Sequence, residues 1–582
     1  MTKNYKLKFV LFFVLIGPAS ALSQNVDAML KSDLLKGAGG VSINQVFNYA
    51  TGKNPSRQPY SYLFSGNLQF QILGVINAPF NFTYSNLGSQ LTQPTYNQTS
   101  IHPSYKWITV HAGTISCNYS GYTVNGHLFN GGALELTPGK LSFNAFYGRL
   151  QKKIPNTPEL ISQNILPAFQ RMGGGCKIGY KDQSIGAINM VLFTASDDVR
   201  SLNVMDMPYP LQPKQNHCGS LNYQKTFKKK LEFNGEASVS IFNENKNNQL
   251  VNDRMPRFFD ANTSTGIYKA FKSSLSYKIN NYGLQLGYER IDPFYKTLGA
   301  YYFTSDLENI TATFSAKVFK QKVNLNSTIG KQRDNLQKTK LNTMGRLVTN
   351  TSINCLLKKG ITFTANYSNF LSYTNTRPVN DFQNQNNPYM MLDTLKFRQV
   401  SRNLMGNINV ILHSDSLSTA SILAMITVQT SSDLRNEVLI NSNTFYNGNL
   451  GYSYQRKKSG EMFILSMNGN QSTINDIKVL SISPVLCFGK PMFKKRLRPS
   501  VAFNYTGSFI KGAHAGGVFN LRILAAYTVK KVHSFSVSFL LLNRKDSPTT
   551  NPYESSMLFN EITFMLNYAV SVDLFTIKRR KI

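Results

Sequence analysis

Asn309-Ile310-Thr311-Ala312-Thr313-Phe314-Ser315-Ala316-Lys317-Val318 is apolar at every even position and polar at every odd one. A β-strand points successive side chains to opposite faces, so this period gives one greasy face and one wet face. The pattern recurs along the chain. Leu231, Phe233, Ala237, Val239 and Ile241 oppose Glu232, Asn234, Glu236, Ser238 and Ser240, and Ile361, Phe363, Ala365 and Tyr367 oppose Thr362, Thr364, Asn366 and Ser368. Phe535, Val537, Phe539 and Leu541 repeat it, as do Ile562, Phe564, Leu566, Tyr568, Val570 and Val572.

Two classes fit such a chain, a large secreted β protein and a membrane barrel. The 582 residues include 30 Tyr and 39 Phe but one Trp, and 16% are charged, against roughly 25% in soluble proteins. Depleted charge with abundant Tyr and Phe suits a lipid-facing surface with interfacial girdles. A β-solenoid or sandwich would carry clearer repeats or more charge on its wet face. After residue 23 the longest apolar stretch is Ala420 to Val428, far short of the roughly 20 residues a spanning helix needs. Any crossing is therefore by strands. Those strands must close on themselves, because each edge amide left unpaired in lipid costs several kcal/mol. No linker or change of period divides the chain, which predicts one large architecture.

At the start, Lys3, Lys6 and Lys8 precede the apolar run Phe9 to Gly17, and Pro18 to Ser23 supplies small residues. This predicts a secretory signal peptide over 1–23, cut before Leu22 or Gln24, with an apolar run too short to span a bilayer. No cysteine follows the cleavage region to carry a lipid anchor.

Short basic or polar connections interrupt the alternating runs at Lys228-Lys229-Lys230, Asn280-Asn281, Lys320-Gln321-Lys322, Lys358-Lys359-Gly360, Ser414-Asp415, Lys457 to Gly460, Lys494-Lys495-Arg496 and Lys530-Lys531. Longer ones fall between them, around 244–263, 294–307, 333–343, 373–399, 431–440 and 544–559. Short turns at one end and long loops at the other is the asymmetry of an outer-membrane barrel, whose short turns face the periplasm. The expectation is an all-β, large, closed, antiparallel transmembrane β-barrel of about 24 strands, within 20 to 26. Residues 60–577 are expected to form the barrel, 24–59 a segment in or near the lumen, and 578–582 a basic periplasmic tail. Ile310, Ala312, Phe314, Ala316 and Val318 are expected to face lipid. Thr311, Thr313, Ser315, Glu232 and Glu236 are expected to face the lumen, and Lys229 and the turn at Gln321 the periplasm.

The net charge is +34, and much of the excess sits in these turns. It suits contact with lipid and lipopolysaccharide phosphates, although lysines also keep strand ends solvated and block edge association. No motif supports nucleic-acid binding. The five cysteines, Cys117, Cys176, Cys218, Cys355 and Cys487, form no metal spacing and no disulfide framework. None of the seven histidines stands in a two-histidine metal spacing or beside a nucleophile motif. His413-Ser414-Asp415 has the residue types of a triad, but adjacent residues in a tight turn cannot converge on one substrate atom. Asp197-Asp198 with Arg200 reads as an ion pair at a strand end. Gly173-Gly174-Gly175 lacks the Lys and Ser or Thr of a phosphate loop and reads as a flexible loop end. No catalytic residue, cofactor or metal is expected.

Residues 103–151 are more distinctive. They include Pro103-Ser104-Tyr105-Lys106-Trp107-Ile108-Thr109-Val110-His111 and a second run from Tyr122 through Gly131-Gly132-Ala133-Leu134-Glu135-Leu136-Thr137-Pro138-Gly139-Lys140 to Gln151. This stretch resembles a group of poorly characterised outer-membrane β-barrel proteins of Bacteroidota. The resemblance covers about a tenth of the chain and implies an outer-membrane location with no defined activity. The residues read alone give a tight turn at Thr137 to Lys140, with Glu135 and Arg149 as a candidate pair across the lumen.

A lumen of more than 20 strands would be a wide hole, and barrels of about 22 strands are plugged. The leading expectation is a non-enzymatic channel or transport conduit narrowed by its own loops. A structural or secretion-associated barrel that docks a partner protein is the alternative, and a barrel-type hydrolase the third.

Overall fold

The computed structural model describes residues 33–52, 58–86, 97–162, 166–202, 211–251, 261–301, 304–339, 345–358, 360–373, 397–435, 438–474, 477–530, 532–546 and 558–577. The expected signal peptide and the tail at 578–582 lie outside them.

Each wall strand pairs antiparallel with its sequence neighbour, and the ring closes where Leu35–Thr51 pairs with Leu558–Ile577, Leu35 opposite Ile577 and Thr51 opposite Asn560. Among the described residues the wall has 26 strands. The short pieces Gln98–Ile101 and Ser104–Tyr105 are halves of one interrupted strand, and Gly299–Ala300 belongs to a loop. Closure leaves no edge, which is what spanning a bilayer with strands requires.

One face carries exposed apolar side chains, and the other is polar apart from a covered apolar patch at the loop end. Cross-strand partners share a face, and the register runs Glu232–Ser276–Gln285–Thr313–Thr328 and Glu236–Lys272–Glu289–Asn309–Gln332. Thr311, Thr313, Ser315, Glu232 and Glu236 therefore occupy the polar face. Ile310, Ala312, Phe314, Ala316 and Val318 lie on the other. Ile310 and Phe314 are exposed there, whereas the small Ala316 is buried, directly opposite Tyr282.

At the loop end the apolar face stops at Arg290, Glu308 and Arg333, which stand opposite one another and pair through Arg333 and Glu308. At the turn end it stops at the exposed aromatics Phe227, Tyr277, Tyr282 and Phe319. From Ile310 to Val318 the belt is about 20 Å tall at ~3.4 Å per residue and a tilt of ~40°, close to the ~25 Å apolar band of outer-membrane barrels.

Several expectations are corrected. Leu35–Thr51 is a wall strand, so the barrel begins well before residue 60 and this stretch does not fill the lumen. No long loop occupies 431–440: Ser418–Arg435 and Val438–Arg456 are strands of 18 and 19 residues separated by only two positions. The loop-end connections after Ile474 and Ile510 are equally short. Gly173 to Gly175 lie inside the strand Gln170–Asp182, where they make room for neighbours. A Cβ on Gly173 would meet Leu150 Cδ1 at 2.5 Å, and one on Gly175 would meet Phe146 Cε1 at 2.9 Å.

The basic turns fall where expected. Lys228 and Lys229 adopt φ of 46° and 59°, and Lys320 and Gln321 φ of 56° and 65°. Left-handed backbone costs a residue with a Cβ roughly 1–2 kcal/mol. Asn or Gly would fit these positions better, so charge rather than conformation explains the lysines.

Candidate functional site

A packed core lies on the polar face of the wall at its loop end. Val191, Phe193 and Ala195 of Gly186–Asp198 project there beside Ile115, Phe129, Ala133, Phe146 and Phe242 from neighbouring strands. These are buried, Val191 at 0% and Phe242 at 2% exposure. The rings pack directly: Phe129 and Phe146 have centroids 4.7 Å apart, and Tyr119 meets Phe146 edge-on at 5.7 Å.

Two loop segments cover this core. One is the connection 119–123 between Ile108–Asn118 and Val124–Leu136. The other is a strap formed by residues 292–301, which leaves Tyr282–Ile291 and folds back over strands more than 170 positions earlier in sequence. Gly299–Ala300 pairs in parallel with Val124 to Gly126. Gly299 is required there: a Cβ would lie 2.3 Å from Thr123 O and 3.2 Å from Phe193 Cζ.

Polar side chains of the wall fasten the strap. Tyr295, 1% exposed, donates from Oη to Tyr122 O at 2.9 Å and lies 2.8 Å from Ser238 Oγ. Ser240 Oγ donates to Lys296 O at 2.6 Å, Thr297 Oγ1 to Thr123 O at 2.7 Å, and Leu298 N to Asn216 Oδ1 at 3.0 Å. Ser238, Ser240 and Asn216 are buried and used, as buried polar groups must be. Burial drives the phenols of Tyr122 and Tyr295 well above the usual tyrosine range, and the Glu289 carboxylate adds to this for Tyr122.

Carboxylates close the margin. Glu236 accepts from Ser120 Oγ, Glu289 accepts from Tyr122 Oη at 2.5 Å, and Glu244 pairs with Lys296. Asp197 receives a bidentate contact from Arg171, at 2.7 Å from Nε and 3.1 Å from Nη2, and accepts from Lys214 N at 2.9 Å. Its partner is thus Arg171 across the strand pair, whereas Arg200 gives only its backbone N–H to Asp198.

Glu236 is the one expected lumen residue in this assembly. Glu232, Thr311, Thr313 and Ser315 lie elsewhere on the same face, Glu232 accepting from Gln224 Nε2 and Asn234 Nδ2. Glu135 and Arg149 do not pair. Glu135 stands opposite Asn144, and Arg149 lies five positions beyond Asn144 on the same strand, an odd step that puts it on the other face. His413 Nε2 lies 2.8 Å from Asp415 Oδ2 in an exposed turn. That carboxylate accepts from Leu417 N and Ser418 N, which hold its pKa down to about 2. It closes a turn. All five cysteines are free thiols, with Cys117 and Cys218 buried in the core.

The strap and its core were missed in the sequence. Their signal was a loss of alternation: Met190-Val191-Leu192-Phe193 is apolar at four successive positions, the mark of a strand covered on both faces.

The chain matches no protein-family model and no curated protein, so the lineage resemblance rests on residues 103–151 alone. Solved structures give distant matches. The outer-membrane transporter YddB from Escherichia coli is 7% identical over 92% of this chain and 80% of its own, with a TM-score of 0.40. The copper transporter OprC is 9% identical over 92% and 80%, at 0.39. The FrpB iron transporter of Neisseria meningitidis (F3-3 variant) is 9% identical over 94% and 83%, at 0.37. At these identities and scores no function carries across.

Proposed function

We propose that this chain is an outer-membrane channel or transport conduit whose lumen is narrowed on one wall by its own strap. In this reading the apolar face, with Ile310, Ala312, Phe314, Ala316 and Val318, meets hydrocarbon. The polar face, with Thr311, Thr313, Ser315, Glu232 and Glu236, lines the lumen. Lys229 and the Lys320-Gln321-Lys322 turn face the periplasm, and the basic turns meet anionic lipid. Closure of 26 strands with one continuous apolar belt supports the membrane setting.

The observation that carries the conduit reading is the strap on the polar face. A circular barrel of 26 strands spaced ~4.8 Å apart and tilted ~40° is about 50 Å across. An aqueous interior that wide would erase any selectivity, and a segment packed on the inner wall reduces it. Purified protein in planar bilayers tests this: ion current on insertion supports a conduit, whereas insertion without current, together with a stoichiometric partner copurifying from membranes, would favour a docking barrel.

A further inference from the structure

Near the turn end of the polar face two histidines meet head to head. His102 follows Gln98–Ile101, and His111 lies in Ile108–Asn118. The hairpin around Lys106-Trp107 pairs Ile101 with Ala112 and Ser104 with Thr109, which places residue 102 opposite 111. Their Nδ1 atoms are 2.7 Å apart. His102 Nε2 lies 3.0 Å from Ser100 Oγ, and His111 Nε2 faces Glu135 Oε1 at 3.7 Å.

These outer partners fix the chemistry between the rings. A carboxylate facing His111 Nε2 favours the tautomer with the proton on Nε2, so its Nδ1 presents a lone pair to His102. Two neutral rings then need something electrophilic between the Nδ1 atoms. A proton on His102 Nδ1 serves, with Ser100 donating to Nε2; a metal ion serves equally, with the Ser100 hydroxyl turned to accept, since hydroxyls rotate to suit. Metal-bound histidines characteristically give their second N–H to a carboxylate or another acceptor; Ser100 Oγ is within hydrogen-bond distance of His102 Nε2, and the Glu135 carboxylate faces His111 Nε2 from 3.7 Å, within ion-pair range.

We propose that His102 and His111 are the two-nitrogen half of a labile site for a late first-row transition-metal cation, completed by water from the barrel interior. On binding, the shared proton leaves His102 Nδ1 and the ring carries its one proton on Nε2 instead, donated to Ser100 Oγ, so both rings stay neutral and no redox change is involved. Two nitrogens at 2.0–2.1 Å from a tetrahedral ion lie about 3.3 Å apart, so the rings part by roughly half an ångström on loading. Imidazole selects Zn, Cu and Ni over Mg and Ca, with Cu(II) bound tightest of the divalent series. The site stands on the hairpin register and does not rest on the conduit reading.

Untagged protein is titrated with Cu(II) and followed by electron paramagnetic resonance. The expected result is one equivalent with two coordinated nitrogens, displaced by excess Zn(II). His102→Gln and His111→Gln should each lose that signal and weaken binding at least tenfold, and Glu135→Gln should weaken it about 10- to 100-fold. His413→Gln should change nothing. A measurement independent of variants is diethyl pyrocarbonate modification mapped by mass spectrometry, in which Zn(II) should protect His102 and His111 but not His413. Unchanged binding in both histidine variants, or no protection of the pair, would overturn the proposal.

Discussion

Tyr295 Oη lies 2.8 Å from Ser238 Oγ, joining the strap to a strand 57 positions earlier in the chain. Ser238 keeps a second bond, to Gly219 O at 3.1 Å. Tyr295→Phe therefore leaves the wall serine its bond to Gly219 O and removes the bond to Tyr122 O. The expected cost is about 1 kcal/mol, read as a small rise in protease cleavage within 292–301 while the barrel keeps its folded migration on unheated gels. Tyr295→Ala, which empties the ring's site, should cost ~3 kcal/mol and expose the strap fully.

Gly299 makes the opposite test, by crowding. Its missing Cβ would approach backbone, Thr123 O at 2.3 Å, and backbone has little room to yield. Gly299→Ala should release the strap as Tyr295→Ala does, without removing any hydrogen-bonding side chain. Limited proteolysis checks it, and wild-type resistance of the strap in this variant would show that Gly299 is not a close-contact position.

Asp197 holds Arg171 with a side chain only 4% exposed. Removing one member of a buried pair leaves the other charged and unpaired, at ~3–5 kcal/mol. Asp197→Ala should lower the temperature at which the barrel loses its folded migration, and by more than Asp198→Ala, whose carboxylate only caps a short turn through Arg200 N.

The assignment of faces is checked by arginine scanning on one strand. Phe314→Arg places a cation within the apolar belt, with an expected penalty of ~2–4 kcal/mol near the bilayer midplane. Thr313→Arg, one residue away on the polar face, should fold normally. Urea unfolding in lipid vesicles measures both, and equal penalties would contradict the assignment.

The wall was legible in the sequence because alternation is a local signal. Ile310 to Val318 and Leu231 to Ile241 each declare two faces without reference to any neighbour, and the lysine turns mark the strand ends. The strap was not legible, since its partners Ser238, Ser240 and Asn216 look like ordinary wet-face residues until the strap arrives. The His102–His111 pair was missed for a different reason. Metal-site spacings are local along a chain, whereas these residues meet across a hairpin centred on Lys106-Trp107. Arg149 was misread because pairing Glu135 with it ignored the parity of the intervening strand.

Single-channel conductance shows whether the strap narrows a water-filled lumen. Wild-type protein and the Tyr295→Ala, Leu298→Asp double variant are compared in planar bilayers, with folded migration confirmed for both. Wild type should conduct, and the variant, its strap no longer seated on Phe193 and Ser238, should conduct more current per channel. Identical conductance in the two proteins, with the strap shown to be released by proteolysis, would contradict narrowing by the strap.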